Sequence, residues 1–157
     1  MVDVQALIQY NVEVRHRYFA TISKLSWEEL VKNREASWHS IRNIFVHTLS
    51  AVNHWLNFLQ NENVHIETDF DHYKRLEDIQ RLMTETETRM QMYLDSLTPT
   101  ELSRKYAVTN DIGKTVAVTS EDVLIHVFEE EVHHRGELIA LLWQMGIEPP
   151  LMGWKFL

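Results

Sequence analysis

Between Val123 and Glu137 the chain reads VLIHVFEEEVHHRGE, which sets three histidines and three consecutive glutamates within a segment that is also patterned with apolar residues. Imidazole nitrogens and carboxylate oxygens are the donors that hold divalent cations, and the same groups move protons. Angular position decides which of them can act together. At roughly 100° per residue, with His126 as zero, Glu130 falls at about 40°, His134 at about 80° and His133 at about -20°. On that wheel Val123 and Leu141 fall at about 60° and Val127 and Met145 at about 100°. Glu130 and His134 therefore lie inside the apolar stripe, while Glu129 and Glu131 fall outside it and are expected to be solvated. A carboxylate turned toward a core is costly unless it takes up a proton, a cationic partner or a metal. The i, i+4 spacing of Glu130 and His134 lets both reach one ion.

A third donor has to come from another helix, and the segment SWHSIRNIFVHTLSAVNHWLNFLQ offers one. With His47 as zero, Phe58 falls at about 20°, Ala51 at about 40°, Trp55 at about 80° and His54 at about -20°. His47 and His54 thus border the apolar face, whereas His39 lies off it and is expected to be exposed. The metal set read from these positions is His47, Glu130 and His134, with His133, His126 or His54 next in line should Glu130 not ligate. The competing reading of Glu130 is a salt bridge to Arg15, which falls on the apolar face of the first helix. His54, His126 and Glu137 fit either a supporting role around the ion or plain structure.

These donors need helices to carry them, and the chain supplies the pattern. Only four glycines and three prolines punctuate 157 residues, and the intervening periodicity is helical. A first helix is read from Val4 to Leu25, with Ser26 capping a short turn that carries Glu29 three residues on. The second starts at Ser37. The third runs from Tyr73 to Leu97 with Leu76, Ile79, Met83, Met90, Tyr93 and Leu97 on its buried side. The fourth begins after Thr119 or Ser120, with Glu121 and Asp122 favourable against the helix dipole, and runs to Met145 before Gly146 and Pro149-Pro150. Four long helices imply an all-α fold, a four-helix bundle. The stretch ELSRKYAVTNDIGKTVAVTSED between the third and fourth helices fits either a long crossover or a short β-hairpin around Asn110-Asp111-Ile112-Gly113.

Composition narrows the function classes. The length fits one domain over residues 1–157. A formal net charge of -8, with 23 acidic against 15 basic residues, leaves no concentrated cation for nucleic acid or an anionic membrane. With no cysteine, disulfides and thiolate sites are excluded and any metal is held by nitrogen and oxygen. No run of about 18 apolar residues predicts a membrane span, and no signal peptide is read at the N-terminus, so a cytoplasmic location is expected.

The segment IHVFEEEVHHRGELIALLWQMGIEPP resembles the last core helix of the DinB/YfiT-like metalloproteins: His126, His134, Arg135, Gly136 and the Gly146-to-Pro150 ending match its pattern. Glu137 stands where glutamine is usual. The helix IRNIFVHTLSAVNHWLNFL matches the family's other signature, a ligand histidine followed two turns later by Trp, at His47 and Trp55; Asn11, Arg15 and the segment LSWEEL resemble the family's opening. The departure is Glu130, where the commoner residue is a metal-binding histidine. The resemblance implies a four-helix bundle of unusual connectivity, a homodimer, and a divalent metal such as Zn or Ni. Some relatives are thiol-dependent transferases using bacillithiol or mycothiol.

Two functional readings follow. In the first, His47, Glu130 and His134 hold a divalent cation (Zn or Ni, with Fe or Mn also suited to this donor set) in a metal-dependent enzyme such as a low-molecular-weight thiol S-transferase. There His126 or His54 serves as supporting group or general base, and Arg15 meets an anionic small-molecule substrate. In the second, the protein is a non-catalytic, stress-associated homodimer whose ion only pins two helices.

Overall fold

The computed structural model describes residues 3–109 and 112–153. Helix α1, Val4–Ile22, is capped by Asp3, whose side chain accepts from the Ala6 amide. Its buried residues Val4, Ile8, Asn11, Arg15, Tyr18 and Ile22 recur at steps of three and four, the spacing of one helical face. The helix stops three residues before the expected Leu25. Ser26 then caps the short α2, Trp27–Val31, by accepting from the Glu29 amide.

Helix α3, Ile41–Gln60, starts at Ser40 rather than at Ser37. The reason lies in the backbone just before it: Glu35 and His39 take φ values of 58° and 69°, a left-handed conformation that no α-helix includes. Residues 33–39 therefore form a turn, closed by the His39 amide donating to the Ala36 carbonyl at 3.0 Å. Helix α4, Leu76–Ser96, buries Ile79, Met83, Thr86, Met90, Tyr93 and Leu94, while the expected Leu76 and Leu97 are only half-buried. The brief α5, Pro99–Leu102, has Pro at its first turn, where its missing N–H costs nothing.

The stretch left open between crossover and hairpin is a hairpin. Strands β1, Lys105–Thr109, and β2, Thr115–Thr119, pair antiparallel with Lys105 opposite Thr119 and Thr109 opposite Thr115. Of the expected turn, Asn110 and Asp111 lie outside the described residues. Thr119 then caps α6, Ser120–Gln144, in a reciprocal box: its side chain accepts from the Asp122 amide while the Asp122 carboxylate accepts from the Thr119 amide. Gly146, at φ 70°, turns the chain after α6 in the conformation glycine allows most readily. The described residues thus hold four long helices, two short ones, a single 3-10 turn at Phe70–His72 and the hairpin, so the expected bundle carries more elements than four.

Helix α6 packs against both α1 and α3, and α3 also packs on α4. The core divides along the bundle. One part gathers Val14, Tyr18, Ile44, Leu49, Met83 and Leu142; the other gathers Ile8, Leu56, Leu59, Met90, Leu124 and Val127. Two hydrogen bonds join elements in the interior: Asn53 on α3 donates to the Thr86 hydroxyl on α4 at 2.6 Å, and the Tyr106 hydroxyl donates to the Leu59 carbonyl at 3.2 Å, fastening the hairpin to α3. Among the described residues no helix is long and apolar enough to cross a membrane. Leu142 is fully buried in the first part of the core, so Leu142→Ala is expected to lower the unfolding free energy by about 2–5 kcal/mol in urea titration.

Candidate metal centre

Packing α6 on α3 brings His47, Glu130 and His134 together, with one ligand atom from each lying within 4.8 Å of the others. The His134 side chain is 6% exposed, and its Nε2 lies 3.5 Å from Glu130 Oε2. The rings of His47 and His134 stand nearly perpendicular, centroids 4.7 Å apart. His47 is stacked on Trp38 at 4.0 Å. On its far side His134 presents Nδ1 to Glu137 Oε2 at 2.7 Å.

Electrostatics favour a cation here. Burial alone would raise the Glu137 pKa, but hydrogen bonds from Ser37 and His134 and the nearby imidazoles of His134 and His133 outweigh it and hold the group below the ordinary carboxylate range. An ionised carboxylate can only accept, so His134 Nδ1 carries a hydrogen, and in the neutral ring Nε2 then offers its lone pair. Nε2 and Glu130 Oε2 are then two acceptors facing each other at 3.5 Å, an arrangement that needs a proton or a metal ion between them. For His47, burial first and the neighbouring His134 second lower the pKa against the opposing pull of Glu130 and Glu137, which favours the neutral imidazole that ligates. Two neutral imidazoles and a carboxylate fit a divalent ion of the Zn, Ni, Fe or Mn group.

The remaining expected residues fall in different places. His126 is half-buried, with Nε2 3.8 Å from Glu130 Oε1, and its ring meets Trp55 edge-on at 5.0 Å. His54 is exposed and meets the other side of Trp55 at 5.4 Å. Both line an open cleft of roughly 670 Å³ that includes His47, Ser50, Trp55, His65 and Glu130. The buried Ser50 hydroxyl there has no hydrogen-bond partner among the described residues. His39 is exposed, as its position on the wheel implies.

Arg15 and Glu131 depart from expectation together. Glu131 is not solvated; it is 6% exposed and accepts from Arg15 Nη2 at 2.6 Å and from Nε at 3.1 Å. Arg15 Nη1 reaches Glu87 at 2.8 Å. The guanidinium is thus engaged by two carboxylates, Glu131 and Glu87, and not by Glu130. The wheel misplaced Glu131 because it was given one buried stripe, whereas α6 is covered on two sides: the α3 side takes Glu130 and the α1 side takes Glu131. A second ligand-bearing group, His133, His134 and Glu137, shares His134 with the first. The sequence marks Ser37 only as a helix start and does not single out Trp38, so neither is read as part of the site. Their only signal was a cap-forming serine followed by tryptophan, which reads as the start of a helix.

The pattern of the site and the fold define the class: the chain belongs to the DinB family, whose model matches residues 1–156. Two Bacillus subtilis proteins are similar in sequence. YizA is 25% identical over 141 residues, spanning 90% of this chain and 87% of YizA. YjoA is 28% identical over 131 residues, spanning 83% of this chain and 74% of YjoA. The crystal structure of YjoA, described as a DinB-like protein, superposes with a TM-score of 0.69 at 19% identity over 96% of this chain and 99% of that one, which shows the shared fold.

Because the Arg15–Glu131 pair is buried, Glu131→Gln is expected to cost about 1.5–3 kcal/mol, with Glu87 still pairing the guanidinium, while Arg15→Met combined with Glu131→Leu costs less than the sum of the single changes. Urea unfolding of the four proteins of that cycle measures the coupling. His47 has a lowered pKa in the folded chain, so the unfolded chain binds more protons there. The metal-free protein is therefore expected to lose stability as pH falls below the ordinary histidine range of about 6.5, and His47→Gln to flatten that part of the pH profile.

Proposed function

We propose that the chain is a divalent-metal-dependent enzyme of the class that transfers groups to or from a low-molecular-weight thiol, and that it works on a small-molecule substrate. The observation that carries this reading is the cleft. His47 and Glu130 line the cleft with the buried His134 beside them, so an ion held by the three would have the rest of its coordination sphere toward that space, the arrangement of catalytic rather than structural zinc. His47 and His134 would hold the ion through imidazole nitrogens and Glu130 through a carboxylate oxygen. When bound, such an ion supplies Lewis acidity that eases ionisation of a thiol or of water.

The chain's own groups then divide the remaining work. His126 sits against both Glu130 and the cleft, where it is placed to take a proton from an entering thiol. His54, across Trp55, is the outer candidate for the same task. With Arg15 engaged by Glu131 and Glu87, substrate polar groups are met by the cleft's imidazoles and amides, among them His65, Asn57 and Asn63. Trp55 offers a flat apolar surface. A small thiol such as bacillithiol is the cosubstrate class implied by resemblance, and a homodimer is the assembly.

The test begins with metal content. Protein stripped with a chelator and dialysed against Zn or Ni is expected to retain about one ion per chain by elemental analysis, with His134→Ala and Glu130→Ala each reducing retention. Retention near zero in the unaltered protein overturns the reading. Metal retention with no turnover across a panel of thiols and electrophiles favours an ion that only braces the helices.

A further inference from the structure

The turn before α3 does more than connect helices. It is fixed by its own hydrogen bonds, from the Arg34 amide to the His39 carbonyl at 2.6 Å and from the His39 amide to the Ala36 carbonyl at 3.0 Å. The Arg34 guanidinium also ties back to the Glu29 carboxylate. Two consecutive residues of this turn bear on the two histidines of the triad, one by contact and one through Glu137. Trp38 lies flat on His47, planes within 22°. Ser37 lies beside the Glu137 carboxylate and helps keep it ionised; the same carboxylate accepts from His134 Nδ1 at 2.7 Å.

We infer that Glu137 is a positioning residue that fixes His134 as its Nδ1–H tautomer and aims Nε2 into the space shared with His47 and Glu130. The inference rests on the metal reading of that triad and extends it to the groups behind the ligands. Imidazole has two nitrogens that can each ligate, and an unrestrained ring also rotates about its side-chain bonds. A carboxylate on Nδ1 removes both freedoms, because it accepts only from a protonated nitrogen and so, in the neutral ring, leaves the other nitrogen bare. It also makes that bare nitrogen a better donor to a cation. Ser37 matters because a glutamate three residues from its partner on one helix is mobile unless something holds its other side. The tryptophan next to it performs the matching task for His47 by contact of ring faces.

The experiment has a metal-free arm and a metal arm. In the metal-free arm, 15N spectra of the side-chain imidazoles, recorded at a pH of about 9 so that neutral rings dominate, are expected to show His134 protonated at Nδ1. They are expected to shift toward a mixture of tautomers in Glu137→Ala. A His134 protonated at Nε2 in the unaltered protein overturns the inference whether or not metal binds. In the metal arm, Zn affinity measured by competition with a chromophoric chelator is expected to fall 10- to 100-fold in Glu137→Ala. Ser37→Ala should fall in the same direction by less. Glu137→Gln, which keeps the shape and an accepting oxygen, should recover much of the loss and guards against a folding defect in the alanine variant. Equal affinity in all four proteins overturns the inference. So does the loss of one of two bound ions in both Glu137→Ala and His133→Ala, since Glu137 would then be a ligand of a second ion. An unaltered protein that binds no Zn defeats the proposed function instead, and the metal-free spectra still decide the role of Glu137.

Discussion

The rotation of α6 about its own axis is the constraint on which the site depends, and the ion pair between Arg15 and Glu131 sets it. Adjacent helical residues point about 100° apart. Once Glu131 is bound by Arg15 on α1 at 2.6 Å and 3.1 Å, Glu130 has to face the α3 side. Turning the helix by one residue would break the buried pair, leaving Glu131 without its partner and Arg15 with Glu87 alone, which is costly at a buried site. Asn11 adds to the same seam, donating to the Phe128 carbonyl and accepting from Arg135. The three consecutive glutamates are therefore three different things: Glu129 is exposed, Glu130 faces the triad, and Glu131 locks the helix.

The long helices were legible because their apolar residues repeat at helical spacing over four or more turns, and because Asp122 and Glu29 sit three residues after hydroxyl-bearing caps. The convergence of His47, Glu130 and His134 was legible for the same reason, since angle on a helix is a local property. What a helical wheel could not give was how many sides of α6 are covered. That depends on packing against α1, and it decided the fate of Glu131 and of Arg15. The hairpin stayed open between two readings because five-residue strands of Val, Thr and Ala are too short to separate from an extended connection. The start of α3 was misread at Ser37 because a serine before a hydrophobic run looks like a cap, and nothing local announces the left-handed backbone at Glu35 and His39.

The charge around the triad distinguishes this chain from the pattern it resembles. Glu130 stands where a histidine is commoner and Glu137 where a glutamine is usual. Each exchange adds a negative charge beside the same two imidazoles. Extra carboxylate strengthens the hold on a cation and at the same time lowers its power to polarise what binds to it. A cation held there would be bound tightly and activate more mildly, while Ser37 and the imidazoles of His134 and His133 hold Glu137 below the ordinary carboxylate range.

Strand β2 passes into α6 without a linker, for Thr119 is both the last residue of the strand and the cap of the helix. The Ser120 amide, donating to the Arg104 carbonyl at 3.0 Å, fastens the start of β1 to the same point. Hairpin and helix are therefore in phase, and chain length has a different meaning on the two sides of the joint. A residue added between β1 and β2 would enlarge a loop. A residue added between Thr119 and Ser120 would turn the helix beyond it by about 100° relative to the strand, sending Glu130 and Glu131 to each other's partners or to none. Length changes accumulating in descendants of this sequence should for that reason gather at the hairpin tip and spare the joint.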